Sequence, residues 1–221
     1  FHKVAVSYYP SYVEEEAIHA VDETIPVKAI TAYVYEEFLQ NLNKDFAKRE
    51  GLLFVGGFAH PPNADAVLWF AKEVFPKIRE QIKVNFYIVG SKVTDEIKAL
   101  EQPGNGIIVK GFVSEEELAD LYRNCRIVVV PLRYGAGVKG KVVEAIYNGA
   151  PIVTTSVGSE GIPDVEKVLL VRDQPDEFAE TVVELYKDEK RLEDLAEKTQ
   201  VYIREHFSID AAWDVIKEDF G

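Results

Sequence analysis

At 221 residues, 47% of them hydrophobic and 29% charged, the chain is long enough to bury a sizeable core as one large or two small domains. A net charge of −13 argues against nucleic acid or an anionic membrane as main partner, the lone Cys125 excludes an internal disulfide, and no apolar run is long enough to span a bilayer. No signal-peptide pattern opens the chain, and the lack of methionine even at residue 1 leads us to expect a piece of a longer or processed polypeptide.

In chain order, residues 3–7 read as a strand, 10–21 as an acidic helix and 26–30 as a second short strand. The tyrosine-rich stretch Tyr33-Val34-Tyr35 then leads into a polar, charged segment over 41–50. Leu52-Leu53-Phe54-Val55 predicts a buried strand, followed by the loop Gly56-Gly57-Phe58-Ala59-His60-Pro61-Pro62-Asn63. Asn63 is the expected N-cap of a helix running to about Glu80, with Asp65 in its first turn and Val67, Phe70, Ala71 and Val74 in its apolar stripe. His60 suits either a hydrogen-bond donor to phosphate or sugar, or a plain surface histidine of the loop. Strands are expected again at 85–90 and 106–109, with a short helix over 94–100 between them. Ser114, with Glu117 three residues on, has the pattern of a capping box for the next helix.

The densest information lies in 127–158. Ile127-Val128-Val129-Val130 is a β-branched run suited to a strand buried on both faces of a parallel sheet. Pro131 ends it, and Tyr134-Gly135-Ala136-Gly137-Val138-Lys139-Gly140-Lys141 places three glycines and two lysines in one loop. A helix follows from about Gly140 to a stop at Gly149, then a strand over 151–155, a polar loop over 156–162 and a short strand over 168–171. Three helices, 175–187, 190–206 and 208–220, finish the chain, the last of them requiring an apolar partner for Ala212, Val215 and Ile216.

Alternating strands and helices without hairpin signals predict an α/β, Rossmann-like parallel sheet with helices on both faces. The glycines Gly56, Gly57, Gly90, Gly111 and Gly135 to Gly140 then gather at the carboxyl ends of the strands, where helix N–H groups and the helix dipole can hold an anion. Lys139 and Lys141 add positive charge there. Glu144, one turn into the helix, offers two acceptor oxygens to a vicinal diol such as a ribose. The plainer alternative is a tight turn with a carboxylate favoured by the helix dipole. Neither carboxylates nor histidines show metal-ligand spacing, so no metal and no cofactor is expected.

The segment PLRYGAGVKGKVVEAIYNGAPIVTTSVGSEGI resembles the donor-binding segment of GT-B glycosyltransferases in the large retaining family four, within a subgroup carrying G-x-G-x-K-x-K-x-x-E. Upstream, LLFVGGFAHPPNADAVLWFAKEVFPKI resembles the opening strand, loop and helix of the same nucleotide-binding domain. The resemblance implies the C-terminal half of a GT-B fold, with residues 49–221 as nucleotide-sugar donor domain and 1–48 as remnant of an N-terminal acceptor domain plus linker. A small βαβ extension packed on the main sheet is the competing reading of 1–48.

The resemblance further implies transfer of a sugar from a nucleoside diphosphate donor, in a cytoplasmic protein peripheral to the inner membrane face through parts outside this chain. The acceptor would be a saccharide, a glycan or cell-surface polysaccharide precursor held by a missing domain. Lys139 and Lys141 would stabilise the leaving diphosphate. Glu144 would hold the ribose, and Gly111, Phe112 and Val113 would frame the base unless they merely return the chain. Gly57, Phe58, His60, Asn63, Gly90, Tyr134, Gly135, Gly137, Val138 and Gly140 would complete the donor site. The wider family places an arginine and a lysine after the first strand and a glutamate eight residues before the ribose acid; here Phe58, His60, Asn63 and Ala136 stand instead. A non-catalytic nucleotide-sugar binding module is the alternative. A dinucleotide oxidoreductase fits poorly, because GGFAHPPN is not G-x-G-x-x-G.

Overall fold

A computed structural model describes residues 5–220 of the chain. Two parallel sheets result. The smaller pairs β1 (Ser7–Tyr9) with β2 (Val27–Ala29) through the crossover helix α1 (Tyr12–His19). Of the strand expected over 3–7, only its end lies within β1, and Lys3 and Val4 lie outside the described residues.

The larger sheet contains β3 (Leu52–Val55), β4 (Phe86–Val89), β5 (Ile107–Gly111), β6 (Ile127–Val130), β7 (Ile152–Thr154) and β8 (Leu169–Val171). Its spatial order is β5-β4-β3-β6-β7-β8, parallel throughout. All four residues of β6 are buried, as a strand covered on both faces requires. The connecting helices are α2 (Pro61–Trp69), α3 (Phe75–Arg79), α4 (Asp95–Lys98), α5 (Glu115–Asn124), α6 (Gly140–Tyr147) and the single turn α7 (Ser156–Ser159). The chain ends in α8 (Pro175–Lys187), α9 (Glu189–Phe207) and α10 (Ile209–Ile216). One layer joins α2 and α3 to α8, where Phe178 meets Trp69 and Phe70 edge-on; the other joins α6 to α9.

Three local readings are corrected. Asn63 is not an N-cap: Pro61 and Pro62 open α2, where their missing N–H groups cost nothing, and His60 takes the cap position without a side-chain bond. The helix expected to run unbroken to Glu80 passes through a π segment, Phe70–Val74, that resets the register so that Pro76 enters near the start of α3. The polar loop after β7 contains α7, capped by Thr155 Oγ1 accepting from Gly158 N at 3.2 Å. The expected capping box is half made. Ser114 Oγ accepts from Glu117 N at 3.1 Å, but the Glu117 carboxylate accepts from Lys110 at 2.8 Å.

Residues 31–50 are strapped to the domain. Buried Arg49 donates to Tyr122 O and Cys125 O and stacks on Phe46 at 4.3 Å. Buried Arg126 donates to Tyr186 O at 2.8 Å and to Phe46 O. Cys125 is the small buried residue its position suggested, its thiol pushed up to about 12 by burial. The chain's end also meets its beginning: Asp219, just past α10, accepts from Tyr8 and Lys28 at 2.7 Å each.

Candidate functional site at the carboxyl edge of the sheet

Between β3 and β6 the crossovers diverge, one series building outward through β4 and β5 and the other through β7 and β8. At such a switch point the connections leave a crevice outside the carboxyl ends of the strands. Two loops border it, 56–60 after β3 and 131–139 after β6.

The β3 side is closely packed. Gly56 N donates to Val89 O at 3.0 Å, and Gly90 N to Gly111 O at 2.8 Å. A Cβ on Gly90 would collide with the Gly56 carbonyl, so this glycine is required by the approach of two strand ends. Phe58 was expected to touch the ligand, but its ring is 4% exposed and stacks on Phe54 at 6.2 Å. Its N–H is committed to Ser91 O at 2.8 Å, so Phe58 supports the loop from beneath.

Lys141, the second residue of α6, reaches across to this loop. Its Nζ donates to Asn63 Oδ1 at 2.6 Å, and Asn63 Nδ2 in turn donates to Gly57 O at 2.7 Å. The ammonium lies 5.8 Å from the centre of the Phe54 ring. A Cβ on Gly56 would stand 3.1 Å from Lys141 Cε, so the glycine makes room for the lysine stem. Burial, with the Lys139 charge as the lesser cause, lowers Lys141 to about 8. Among the described residues no carboxylate pairs with it. The N–H groups of Gly140 and Lys141 at the start of α6 also have no backbone acceptor among the described residues. A half-buried cation paired only with a neutral amide, beside free N–H groups, is an arrangement suited to a negative ligand.

Lys139 behaves differently. Its Nζ holds Gly137 O, Gly135 O at 3.3 Å and Glu160 Oε2 at 3.1 Å, and its side chain is only 10% exposed. It closes its own loop and is neutralised by Glu160. Nearby, exposed Arg133 donates to Asp65 Oδ2 at 2.8 Å and ties the loop to α2.

Glu144 sits in a tyrosine-rich setting. Tyr35 stacks on Tyr147 at 4.2 Å, and its phenol is pushed up to about 12, mainly by burial and then by the Glu144 charge. Buried Tyr122 comes within electrostatic reach of Glu144, yet its hydroxyl makes no hydrogen bond of good geometry, and its ionisation is strongly opposed by burial. Burial raises the Glu144 carboxyl above its ordinary value, with Tyr122 opposing the shift. Tyr33 lies over the start of α6 without capping it: a Cβ on Gly140 would lie 2.7 Å from its hydroxyl.

Among the other expected residues, His60 and Tyr134 are exposed on the loops, Gly57 is held by Asn63, and Gly135 and Gly137 have positive φ in the lysine loop. Gly111 ends β5 at φ 71, Phe112 projects with 82% exposure and Val113 is half-buried. Val138 instead borders a hollow of about 360 Å³ between α1, β2 and α10, which reaches neither Lys141 nor Glu144. Two groups of neighbours were not singled out from sequence: the tyrosines around Glu144, and Glu160 on the turn after β7. The string Gly158-Ser159-Glu160-Gly161 directly after a buried strand was the available signal for Glu160. Among the described residues there is no cluster of three or more metal-ligating side chains and no helix long and apolar enough to cross a membrane.

Comparison with known proteins agrees with this architecture. A family model described as group 1 glycosyl transferases matches residues 49–188. An uncharacterized 44.6 kDa protein from the cps region of Klebsiella pneumoniae is 29% identical over 184 residues, covering 79% of this chain and 45% of that protein. S. aureus TarM, solved in complex with Fondaparinux, alpha-GlcNAc-glycerol and UDP, superposes with a TM-score of 0.77 at 14% identity, over 100% of this chain and 44% of its own. The pneumococcal O-GlcNAc transferase GtfA, in complex with UDP and GlcNAc, gives 0.70 at 19% identity, over 99% of this chain and 44% of its own. The chain thus spans a little under half the length of these relatives.

Proposed function

This chain belongs to the group 1 glycosyl transferases, and from that premise we propose that its crevice binds a nucleoside diphosphate sugar and presents the glycosyl group to a saccharide acceptor. The observation that carries the reading is Lys141: a half-buried ammonium, lowered to about 8, with a neutral amide as partner and free helix N–H groups beside it. A diphosphate is the complement of that charge and those donors.

Glycosyl transfer breaks the bond between the sugar's anomeric carbon and the diphosphate oxygen, and negative charge grows on the leaving group. Lys141 and the N–H groups of Gly140 and Lys141 act most strongly on that developed charge, which is how a binding contact becomes a rate contribution. Lys139, paired with Glu160, holds the same loop in place. Glu144 takes the ribose hydroxyls, the 111–113 loop borders the base, exposed His60 contributes a hydrogen bond from the β3 side, and Asn63, its amide already engaged, holds Lys141 in place. The UDP bound by TarM and GtfA makes uridine nucleotides the first probes.

Residues 49–221 are the donor-binding domain on this reading, and 1–48 belong with an acceptor-binding part of a longer polypeptide, a glycan or polysaccharide precursor being the acceptor. The whole would work in the cytoplasm, with any membrane association supplied from outside this chain. The test is calorimetry of the chain with a panel of nucleoside diphosphates, beginning with UDP. Binding that Glu144→Ala weakens is expected; no heat with any of them at millimolar concentration would overturn the reading.

A further inference from the structure

Glu160 has no part in the diphosphate site just described, yet the fold holds it with unusual care. Thr154 Oγ1 donates to Val130 O at 2.8 Å and Thr155 Oγ1 donates to Leu132 O, which locks the end of β7 to the end of β6. Gly158 lets α7 lie flat on these groups, because a Cβ there would strike Thr154 Oγ1. Gly161, at φ 74, packs against Ser11 and Val138, where a side chain would come within 3.0 Å of both. Glu160 therefore stands on a rigid turn at the same carboxyl edge as Lys141, one strand further along.

Its carboxylate is directed at the lysine loop. Oε2 accepts from Lys139 Nζ at 3.1 Å, and that ammonium also holds Gly135 O and Gly137 O, the carbonyls on either side of Ala136. Oε1 has no partner among the described residues. A bare carboxylate here would repel a diphosphate, and the Lys139 ammonium removes that repulsion while leaving acceptor capacity free. The loop tip itself offers no acid, since residue 136 is alanine.

We propose that Glu160 is a donor-sugar-binding residue: with Lys139 as its positioning residue, it accepts hydrogen bonds from hydroxyls of the sugar attached to the diphosphate. The proposal rests on the donor reading above and extends it from the nucleoside and diphosphate to the sugar. It divides the two lysines by task, Lys141 facing the diphosphate and Lys139 holding the acid that faces the sugar.

The test compares UDP, UDP-glucose and UDP-N-acetylglucosamine by calorimetry on the wild-type chain and on Glu160→Gln. Glu160→Gln should lose about tenfold of its affinity for whichever UDP-sugar the wild type prefers, the scale of a hydrogen bond to a charged group. It should bind UDP as well as before or better, because Lys139 is then freed from its counter-ion. An unchanged ratio of UDP-sugar to UDP affinity overturns the proposal, and so does an equal loss for both, which would mark Glu160 as a support of the loop. A wild-type chain that binds none of the three sinks the donor reading itself and this proposal with it. Thermal melting checks that the variant is folded; should it not be, Glu160→Asp, which keeps the charge and withdraws it by one methylene, is read by the same ratio.

Discussion

The two flanks of the crevice treat positive charge in opposite ways. Toward β3, Lys141 is half-buried against a neutral amide and an aromatic face, and its ammonium is lowered to about 8. Toward β7, the Lys139 side chain is also enclosed, but a carboxylate and two backbone carbonyls surround it. Two residues of separation turn the side chains to different neighbours. Burial of a cation therefore says little about ligand binding until its partners are counted. A compensated lysine is a clamp, whereas one paired only with a neutral amide keeps its charge for an anionic ligand.

The largest effect should come from breaking the packed flank itself. Gly90→Ala forces a side chain into the Gly56 carbonyl, at a glycine with φ 154, and overpacking with backbone strain costs about 3 kcal/mol. Gly137→Ala, on the other flank, meets nothing within 4 Å and bears only the strain of φ 77, about 1 kcal/mol. Urea denaturation of the two variants gives the comparison directly, and equal losses would remove the distinction between a packed and an open side.

Next in size is the difference between the lysines. Lys141→Ala should weaken UDP binding by about thirtyfold, as expected for loss of a charged hydrogen bond near 2 kcal/mol. Lys139→Ala should weaken it only a fewfold, since that charge is already answered by Glu160. Calorimetry that found the reverse order would invert the assignment of clamp and anion site.

A smaller, continuous test is pH. Because Lys141 is lowered to about 8 from 10.5, the folded chain holds this proton less tightly than the unfolded chain does. Stability burdened by the buried charge below about pH 8 should recover between about 8 and 10.5. UDP affinity should move the other way, falling as pH passes 8 and the ammonium loses its charge, while Lys141→Ala should show neither trend.

Much of this geometry was legible beforehand because it rests on local pattern. Ile127 to Val130, the glycine-bearing turns and the stop at Gly149 are short-range signals, and they placed the strands and the carboxyl edge. What stayed hidden depends on partners distant in sequence. Lys139 and Lys141 look equivalent in GVKGK, and only the fold sends one to Asn63 and the other to Glu160. The 41–50 segment reads as a polar linker, yet Arg49 donates to Cys125 O, 76 residues on, and Phe46 O accepts from Arg126, 80 residues on. The Pro61-Pro62 pair was visible, but its effect in pushing Asn63 into the helix required weighing missing N–H groups against a capping preference.

The smallest expected effect bears on the acid between the flanks. Burial raises the Glu144 carboxyl, and the incompletely bonded Tyr122 hydroxyl beside it does not offset this. A raised carboxyl means that the folded state prefers the protonated form. The associated stability is full below the ordinary value of 4.5 and is lost as pH rises through the folded value. Glu144→Gln imitates the protonated form at every pH. The variant should therefore melt at or slightly above the wild-type temperature at pH 7, and the difference should vanish as pH falls toward 4.5. Its affinity for UDP should nevertheless drop severalfold, because an amide presents one acceptor oxygen to the ribose where the carboxylate presents two. Higher stability together with weaker binding marks a residue kept for its ligand, whereas a variant that melted lower and bound UDP unchanged would make Glu144 part of the tyrosine packing and nothing more.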